Sequence, residues 1–536
     1  MRIHDLLILS VIVFFSCKEN KGTETSSISE ESIRKHISTL ASDDFQGRKP
    51  FTEGEVKTLA YLESEVKKLG LKPGNGTSFF QDVPLVEITG NPSAVMQLDG
   101  AQKLSLQLGE DYVAFTQRTD TLVALDNSEL VFCGYGIVAP EYNWNDYAGI
   151  DMKGKTALIL VNDPGFGSED STFFKGNTMT YYGRWTYKYE EAARQGASAV
   201  MIIHETNMAG YPWAVVRGAG TGAKLDLTSL TYSPCALQGW ISLDAAKEIF
   251  SVAGLDLQHA LQSARKEQFK PIPLPYKVNA TLTNDIKQDV SKNVIAMIPG
   301  TETPDEYIIF TAHWDHLGIG TKVEGDSIYN GAVDNASGSA ALLAIAESML
   351  KSGPNKRSVI FLWVTAEEQG LLGSAYYAAN PIFPPAKTVA NINIDALYAF
   401  GRTKDVSIIG FGQSELEDYA KRWAEKQGRY ILPDLTPEKG SFFRSDHFSF
   451  AKIGIPALYV KGNTDHFEKG KEYAKEQVAD FTTTRYHQPS DEYNDSFDVG
   501  GIMLDAELLL NIAKELANNN DWPKWKEGSE FKSLRK

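Results

Sequence analysis

Two histidines and a series of carboxylates recur through the second half of the chain at positions that could bind a metal. His313-Trp314-Asp315 follows the apolar run Tyr307–Thr311 and places two side chains on the same side of an extended segment. A histidine that binds a metal through one ring nitrogen gives its other N–H to a carboxylate, and Asp315 is placed to accept it. The same triplet also reads as a satisfied polar pair in a strand-end loop. Asp334-Asn335-Ala336-Ser337-Gly338 precedes a long apolar helix, where an acid serves equally well as a cap. Glu367-Glu368 is harder to explain by structure alone. Adjacent acids at the exit of the buried run Val359–Val364 repel each other and lose hydration unless something positive is near. Asp395 ends a further apolar run, Val389–Ile394, and the loop Tyr486–Asp491 carries His487 with an acid close by.

Two histidines with Asp334, Glu367, Glu368 and Asp395 suit zinc or a similar borderline metal better than calcium or magnesium. A dinuclear centre would supply the missing positive charge, with one carboxylate ligating while its neighbour takes a proton from an activated water. Taken in order, H-x-D, D-N-x-x-G, E-E, a strand-end Asp and a late His resemble the M28 family of zinc peptidases, with its co-catalytic aminopeptidases. The resemblance runs from about Asn293 to Asn519. It implies two zinc ions per chain, one held by His313, Asp334 and Asp395, the other by Asp334, Glu368 and His487. Asp334 would then bridge, Glu367 would be the general base, Asp315 would stand behind His313, and the peptide after Asp334 would be cis. The resemblance also sets Ser445-Asp446-His447 beside the substrate, although the bare motif reads equally as a turn. Several members carry an aromatic hydroxyl three positions before that serine. Here the position is Phe442, which leaves neighbouring Arg444 as a substitute oxyanion donor. His316 and His466 read as structural or rim residues, and the Gly-x-Gly triplets at 318–320 and 410–412 as turns.

The elements that must hold these residues alternate in type. Apolar runs predict strands at Asn293–Ile298, Tyr307–Ala312, Val359–Val364, Val389–Ile394, Val406–Gly410 and Pro456–Val460. Helical periodicity predicts Ala336–Leu350, Glu415–Gln427 and Ile502–Leu516. That order predicts an α/β fold, a mostly parallel central sheet flanked by helices, with a site at the carboxyl ends of the strands. By the resemblance, 270–525 is the phosphorylase/hydrolase-like zinc exopeptidase core. Residues 28–101 supply its N-terminal part: a helix at Ile33–Leu40, the turn-rich loop Asp43–Glu55, and a second helix with Val56, Leu59, Val66 and Leu69 on one face and Gly70 as its cap.

Residues 102–269 have another character. Short strand-like runs (Thr121–Leu125, Leu130–Tyr135, Thr156–Val161, Ala199–Ile203) surround one clear helix, Tyr187–Gln195, that ends at Gly196. Asp151-Met152-Lys153-Gly154-Lys155 with Ala192, Gly196 and Ala197 resembles the protease-associated (PA) domain. That implies an inserted β-rich module without chemistry of its own that shapes access to the active site.

At the N-terminus, Arg2 and His4 precede the apolar run Leu6–Phe15 and then Ser16-Cys17. This resembles a lipoprotein signal over residues 1–17, with a lipid on Cys17 as the sole membrane link and 18–27 as a flexible tether. An ordinary export signal cut nearby is the plainer alternative. Either one expects an exported chain, periplasmic or at the cell surface, and 526–536 reads as a polar tail. A length of 536 residues predicts several domains, and 42 % hydrophobic residues suffice for large cores. The net charge of −16 excludes nucleic acid as a partner and leaves peptides as the substrates the site would take. Cys133 and Cys235 read as buried thiols rather than a disulfide. The reading is a zinc exopeptidase that removes N-terminal residues. A carboxypeptidase-like or glutaminyl-cyclase-like hydrolase on the same fold and a non-catalytic PA-domain binding protein are the alternatives.

Overall fold

In the computed structural model, which describes residues 27–535 apart from 220, 221 and 231, the strand Thr303–His313 lies at the centre of the sheet. It runs parallel to Arg357–Val364 on one side and Thr388–Asn393 on the other, and Ala457–Lys461 continues the parallel set. Arg357–Val364 is buried along its whole length, as strands covered on both faces must be. Its side chains divide by parity. Val359, Phe361 and Trp363 join the core under the helices Glu30–Leu40, Ser337–Lys351 and Gly500–Asn518, while Ile360, Leu362 and Val364 meet Tyr377 and Phe450 on the opposite face.

The sheet is parallel at its centre and antiparallel toward its edges. The end of Ile272–Ile298 pairs antiparallel with Arg357–Val364, and Asp405–Ile408 pairs antiparallel with Ala457–Lys461. The expected strands and helices of this half are present within a few residues. Three helices that the periodicity does not announce are added: Leu372–Ala379, His447–Lys452 and Gly470–Asp480. The first two are short and the third is polar, so none shows a long apolar stripe. In the helix Glu53–Leu69, Leu59, Leu62 and Val66 are buried but Val56 is 60 % exposed, against its expected place on the inner face; Gly70 caps it with φ +81°.

Residues of the insertion form a second unit with its own apolar core, and its expected bounds of 102 and 269 need correction. That core begins at Met96 and Leu98 and takes in Leu274, Tyr276, Val278 and Ala280. The reason is one 27-residue strand, Ile272–Ile298, which pairs with Leu122–Phe132 inside the module, then with Phe80–Pro92, and ends in the central sheet against Arg357–Val364. No composition change marks a boundary in the middle of a strand. The two runs at 121–125 and 130–135 are a single strand, Leu122–Phe132, and Leu243–Val252 and Leu257–Ala264 add helices to the single one expected. Cys133 and Cys235 are free, buried thiols.

The module also grips the other unit. Asp163 accepts hydrogen bonds from Gly165 N, Thr180 N and Thr180 Oγ1, closing a loop at its base. Beyond it, Met179 enters a cluster with Phe442, Phe443, Phe448 and Phe531. Phe531 and Trp525 are buried there, and the Trp525 indole donates to Gly454 O, so the segment expected as a polar tail is packed against the domain. The signal-like residues 1–17 and all but the last residue of the 18–27 tether lie outside the described residues.

Candidate metal centre

The acids and histidines singled out in the sequence converge where three parallel strands end. His313 closes its strand, Asp395 follows Thr388–Asn393, and Glu367 and Glu368 follow Arg357–Val364. Asp334 arrives on the turn before Ser337–Lys351 and His487 on a loop after Phe481–Arg485. The backbone beside them is held in uncommon conformations: Ala366, Ala396 and His487 have φ of 52°, 52° and 58°, and the Asp334–Asn335 peptide is cis as the resemblance implies. Non-glycine residues hold such angles only where their surroundings fix them.

Those surroundings are polar and specific. The Asn335 side-chain amide donates to Ile394 O and accepts from Gly338 N and Ala396 N, so the Asp334 turn is laced to both flanks of Asp395. Ser337 Oγ accepts from Leu397 N. Asp315, fully buried, sits 3.7 Å from His313 Nδ1 and accepts from Glu367 N at 3.0 Å and Glu368 N at 3.4 Å. It orients the histidine loosely and the two glutamates directly. Asp491 accepts from Val333 N and Asp334 N at 3.1 Å, which fixes the other side of the turn.

Two donor sets result. His313 Nε2 lies 3.3 Å from Asp334 Oδ1 and 3.4 Å from Asp395 Oδ1. His487 Nε2 lies 3.4 Å from Asp334 Oδ2 and 3.0 Å from Glu368 Oε2. Asp334 thus offers one oxygen to each set. His487 Nε2 is buried and finds no hydrogen-bond partner despite these approaches. A nitrogen aimed between two carboxylates without bonding either is what a cation between the three would require. Imidazoles and carboxylates together fit a borderline divalent ion such as zinc.

The electrostatics agree. Burial alone would lower His487, but Glu368 and Asp334 outweigh it and raise the imidazole to about 10. His313 is likewise raised against its burial by Glu367, Asp315, Asp334 and Asp395. Burial pushes Glu368 up, as does Asp334, yet His487 and His316 bring it down to about 2. Glu367 goes the other way. Burial raises it well above the usual carboxylate range, His313 opposes this, and Asp395 and Glu368 add to the rise. Neighbouring glutamates pushed apart in this way define separate roles, one holding charge and one ready to hold a proton.

The raised His487 has a consequence for the metal-free chain. Its imidazolium stabilises the fold fully below pH 6.5, the ordinary histidine value, and that contribution is lost as pH rises toward about 10. Calorimetry of chelator-treated protein is expected to show Tm falling across that window. A flat Tm between those values would mean that His487 is not charged in the folded apo state.

Ser445, Asp446 and His447 are brought to the back of the site. Ser445 Oγ accepts from Asn393 Nδ2 at 2.7 Å, and all three residues are closed off from solvent. Burial raises Asp446 to about 7 and lowers His447 to about 3. Phe442 stands edge-on to His447 at 4.6 Å, and Arg444 alone of this segment is exposed. His466 is structural, its Nδ1 accepting from Glu468 N and Lys469 N.

His316 takes the structural side of the sequence reading. It is 1 % exposed, with Nδ1 2.6 Å from Glu368 Oε1, in the interior of the centre rather than on its rim. Its signal was the spacing His-Trp-Asp-His, with the second histidine close enough to share the first one's site. Arg48, from the turn-rich N-terminal loop, was also missed. Its buried guanidinium reaches Trp314 O and Gly331 O, beside the ligand-bearing turns.

A central, mostly parallel sheet with a histidine–carboxylate cluster at the carboxyl ends of its strands defines an α/β domain whose candidate site lies where such sheets bind ligands. Residues 293–512 match the sequence model of peptidase family M28. Among curated relatives, aminopeptidase NAALADL1 of Rattus norvegicus is 34 % identical over 211 residues, 35 % of this chain and 27 % of its own length. A probable zinc metalloprotease of Leptosphaeria maculans is 28 % identical over 270 residues, 50 % of this chain and 59 % of its own. The chain therefore spans between about a quarter and three fifths of these relatives. Among solved structures, an aminopeptidase from Aneurinibacillus sp. strain AM-1 is 20 % identical with a TM-score of 0.49, covering 92 % of this chain and 96 % of that one.

Proposed function

We propose that the protein is an exported exopeptidase that holds two zinc ions and removes N-terminal residues from peptides. The observation that carries this reading is Asp334, whose two oxygens face His313 and His487 separately, with Asp395 and Glu368 completing the two sets. Aminopeptidase and zinc metalloprotease are also what two relatives of this chain are called. When bound, zinc supplies Lewis-acid polarisation of a carbonyl and makes water acidic enough to be deprotonated near neutral pH. Glu367, which belongs to neither donor set, would take a proton from the attacking water as a carboxylate and pass it to the departing amine. Asp315 keeps Glu367 and Glu368 in register through their backbone N–H groups. The PA-like module walls the site through the loop that carries Met179 onto the Phe442–Phe448 cluster. A lipid on Cys17 tethers the folded chain to the cell envelope, periplasmic or outward-facing.

Metal analysis together with chromogenic aminoacyl substrates tests this. Two zinc ions per chain and hydrolysis abolished by N-acetylation of the substrate are expected. Turnover of N-acetylated peptides from their carboxyl end would replace the reading with a carboxypeptidase. No metal and no turnover would leave a binding protein.

A further inference from the structure

Five features of His316 are left unexplained by the two donor sets. It is fully enclosed, its Nδ1 lies 2.6 Å from Glu368 Oε1, and its Nε2 is buried with no hydrogen-bond partner. Its ring is seated against Gly331, where a Cβ would come within 2.6 Å of Cγ and Cδ2, and it meets the His487 ring edge-on at 5.7 Å. Gly331 is therefore the only residue type that leaves room for this imidazole, and its φ of +57° favours glycine as well.

His316 could be a third ligand, since one of its nitrogens lies with Asp334 and Glu368 in a group close enough to surround an ion. The two tautomers decide against this. A ligating Nδ1 would put the proton on Nε2, where a buried N–H would find no acceptor. With the proton on Nδ1, the ring donates to Glu368 Oε1, and Nε2 keeps a lone pair that leaves no N–H without an acceptor. Glu368 then has Oε1 committed to His316 and Oε2 turned to His487, 3.0 Å away. A carboxylate free to rotate would offer either oxygen, or both, and would have to be ordered when the metal binds.

We propose that His316 is a positioning residue that fixes the Glu368 carboxylate by donating from Nδ1, so that Oε2 alone is presented to the second metal site. The inference rests on the dinuclear reading above. Zinc stoichiometry and second-site affinity, measured by competition with a chromophoric chelator, separate the possibilities in the wild type, His316→Asn and His316→Leu. Asparagine places an amide N–H where histidine carries Nδ1–H; leucine fills the seat without a donor. Two zinc ions in the wild type, a second site about 10–100-fold weaker in His316→Leu, and recovery to within about threefold in His316→Asn are expected, with the first site unchanged throughout. Cobalt(II) absorption of His316→Asn should match the wild type, since no ligand is lost, and this readout needs only the milder variant. A His316→Asn protein with altered cobalt bands and weak second-site binding would make His316 a ligand and overturn the proposal. So would wild-type affinity in His316→Leu. A wild-type chain that takes a single zinc would instead overturn the dinuclear reading itself.

Discussion

Glu367→Gln is expected to lower kcat by about 10²–10⁴-fold while zinc content stays at the wild-type level. Glutamine keeps the shape and buried volume of the side chain but can neither accept the proton of the attacking water nor return it to the amine. The backbone that aims residue 367 does not depend on its carboxyl. Glu367 N donates to Asp315 Oδ1 at 3.0 Å, Gly370 N and Leu371 N bond to Glu367 O, and Ala366 holds φ at 52°. No donor set includes Glu367, whereas Glu368 faces His487 directly, so Glu368→Gln should lose metal along with activity. Turnover on free-amine aminoacyl substrates, paired with metal analysis of the same preparations, distinguishes the two. A metal-replete Glu367→Gln protein that keeps its turnover would remove Glu367 from the chemistry. A loss of zinc from that variant would make it a ligand instead.

What was legible in the sequence follows from the physics of buried parallel strands. Such strands must be apolar on both faces, so Tyr307–Thr311, Val359–Val364 and Val389–Ile394 stand out. An acid or histidine at each end is costly there unless it has work to do. The donor residues were thus visible one by one, and their order completed the pattern. Residues that act by reaching across the fold were not visible. Asp491 fixes the Asp334 turn from 157 residues away, and Arg48 reaches Trp314 across 266 residues. His316 stood in plain view beside His313, but only its 2.6 Å approach to Glu368, 52 residues on, gives it a role. The module boundary was hidden for a different reason. The strand Ile272–Ile298 alternates buried and exposed residues through its first half in the manner of a half-solvated sheet, and changes partners without changing conformation.

Arg48→Met should cost about 3–5 kcal/mol of stability and weaken metal retention with it. The guanidinium is 1 % exposed and, among the described residues, has no carboxylate ion pair; its donors go to four backbone carbonyls, Trp314 O at 2.8 Å, Leu40 O at 2.7 Å, Asn330 O at 2.6 Å and Gly331 O at 2.9 Å. Methionine would fill much of the space and leave Trp314 O, Leu40 O and Asn330 O without their guanidinium donor, while Gly331 O keeps Ala336 N. Burial lowers Arg48 to about 10, against the pull of Asp315, Asp491, Asp334 and Glu368, so at neutral pH it still brings a positive charge to a crowd of acids. The loop that delivers it is shaped for that contact. Gln46 and Arg48 hold φ of 48° and 50°, and a Cβ on Gly47 would come 2.4 Å from Tyr329 O. Trp314 follows His313, and Gly331 stands three residues before Asp334, so one side chain pins both turns that carry the first donor set. Arg48→Lys keeps the charge but cannot span four carbonyls, and should recover part of the stability and little of the geometry. Urea unfolding of the metal-free proteins reads the first effect, and zinc affinity reads the second. If Arg48→Met unfolds at the wild-type urea midpoint, the N-terminal loop only covers the centre; if both quantities fall together, that loop is part of what builds it.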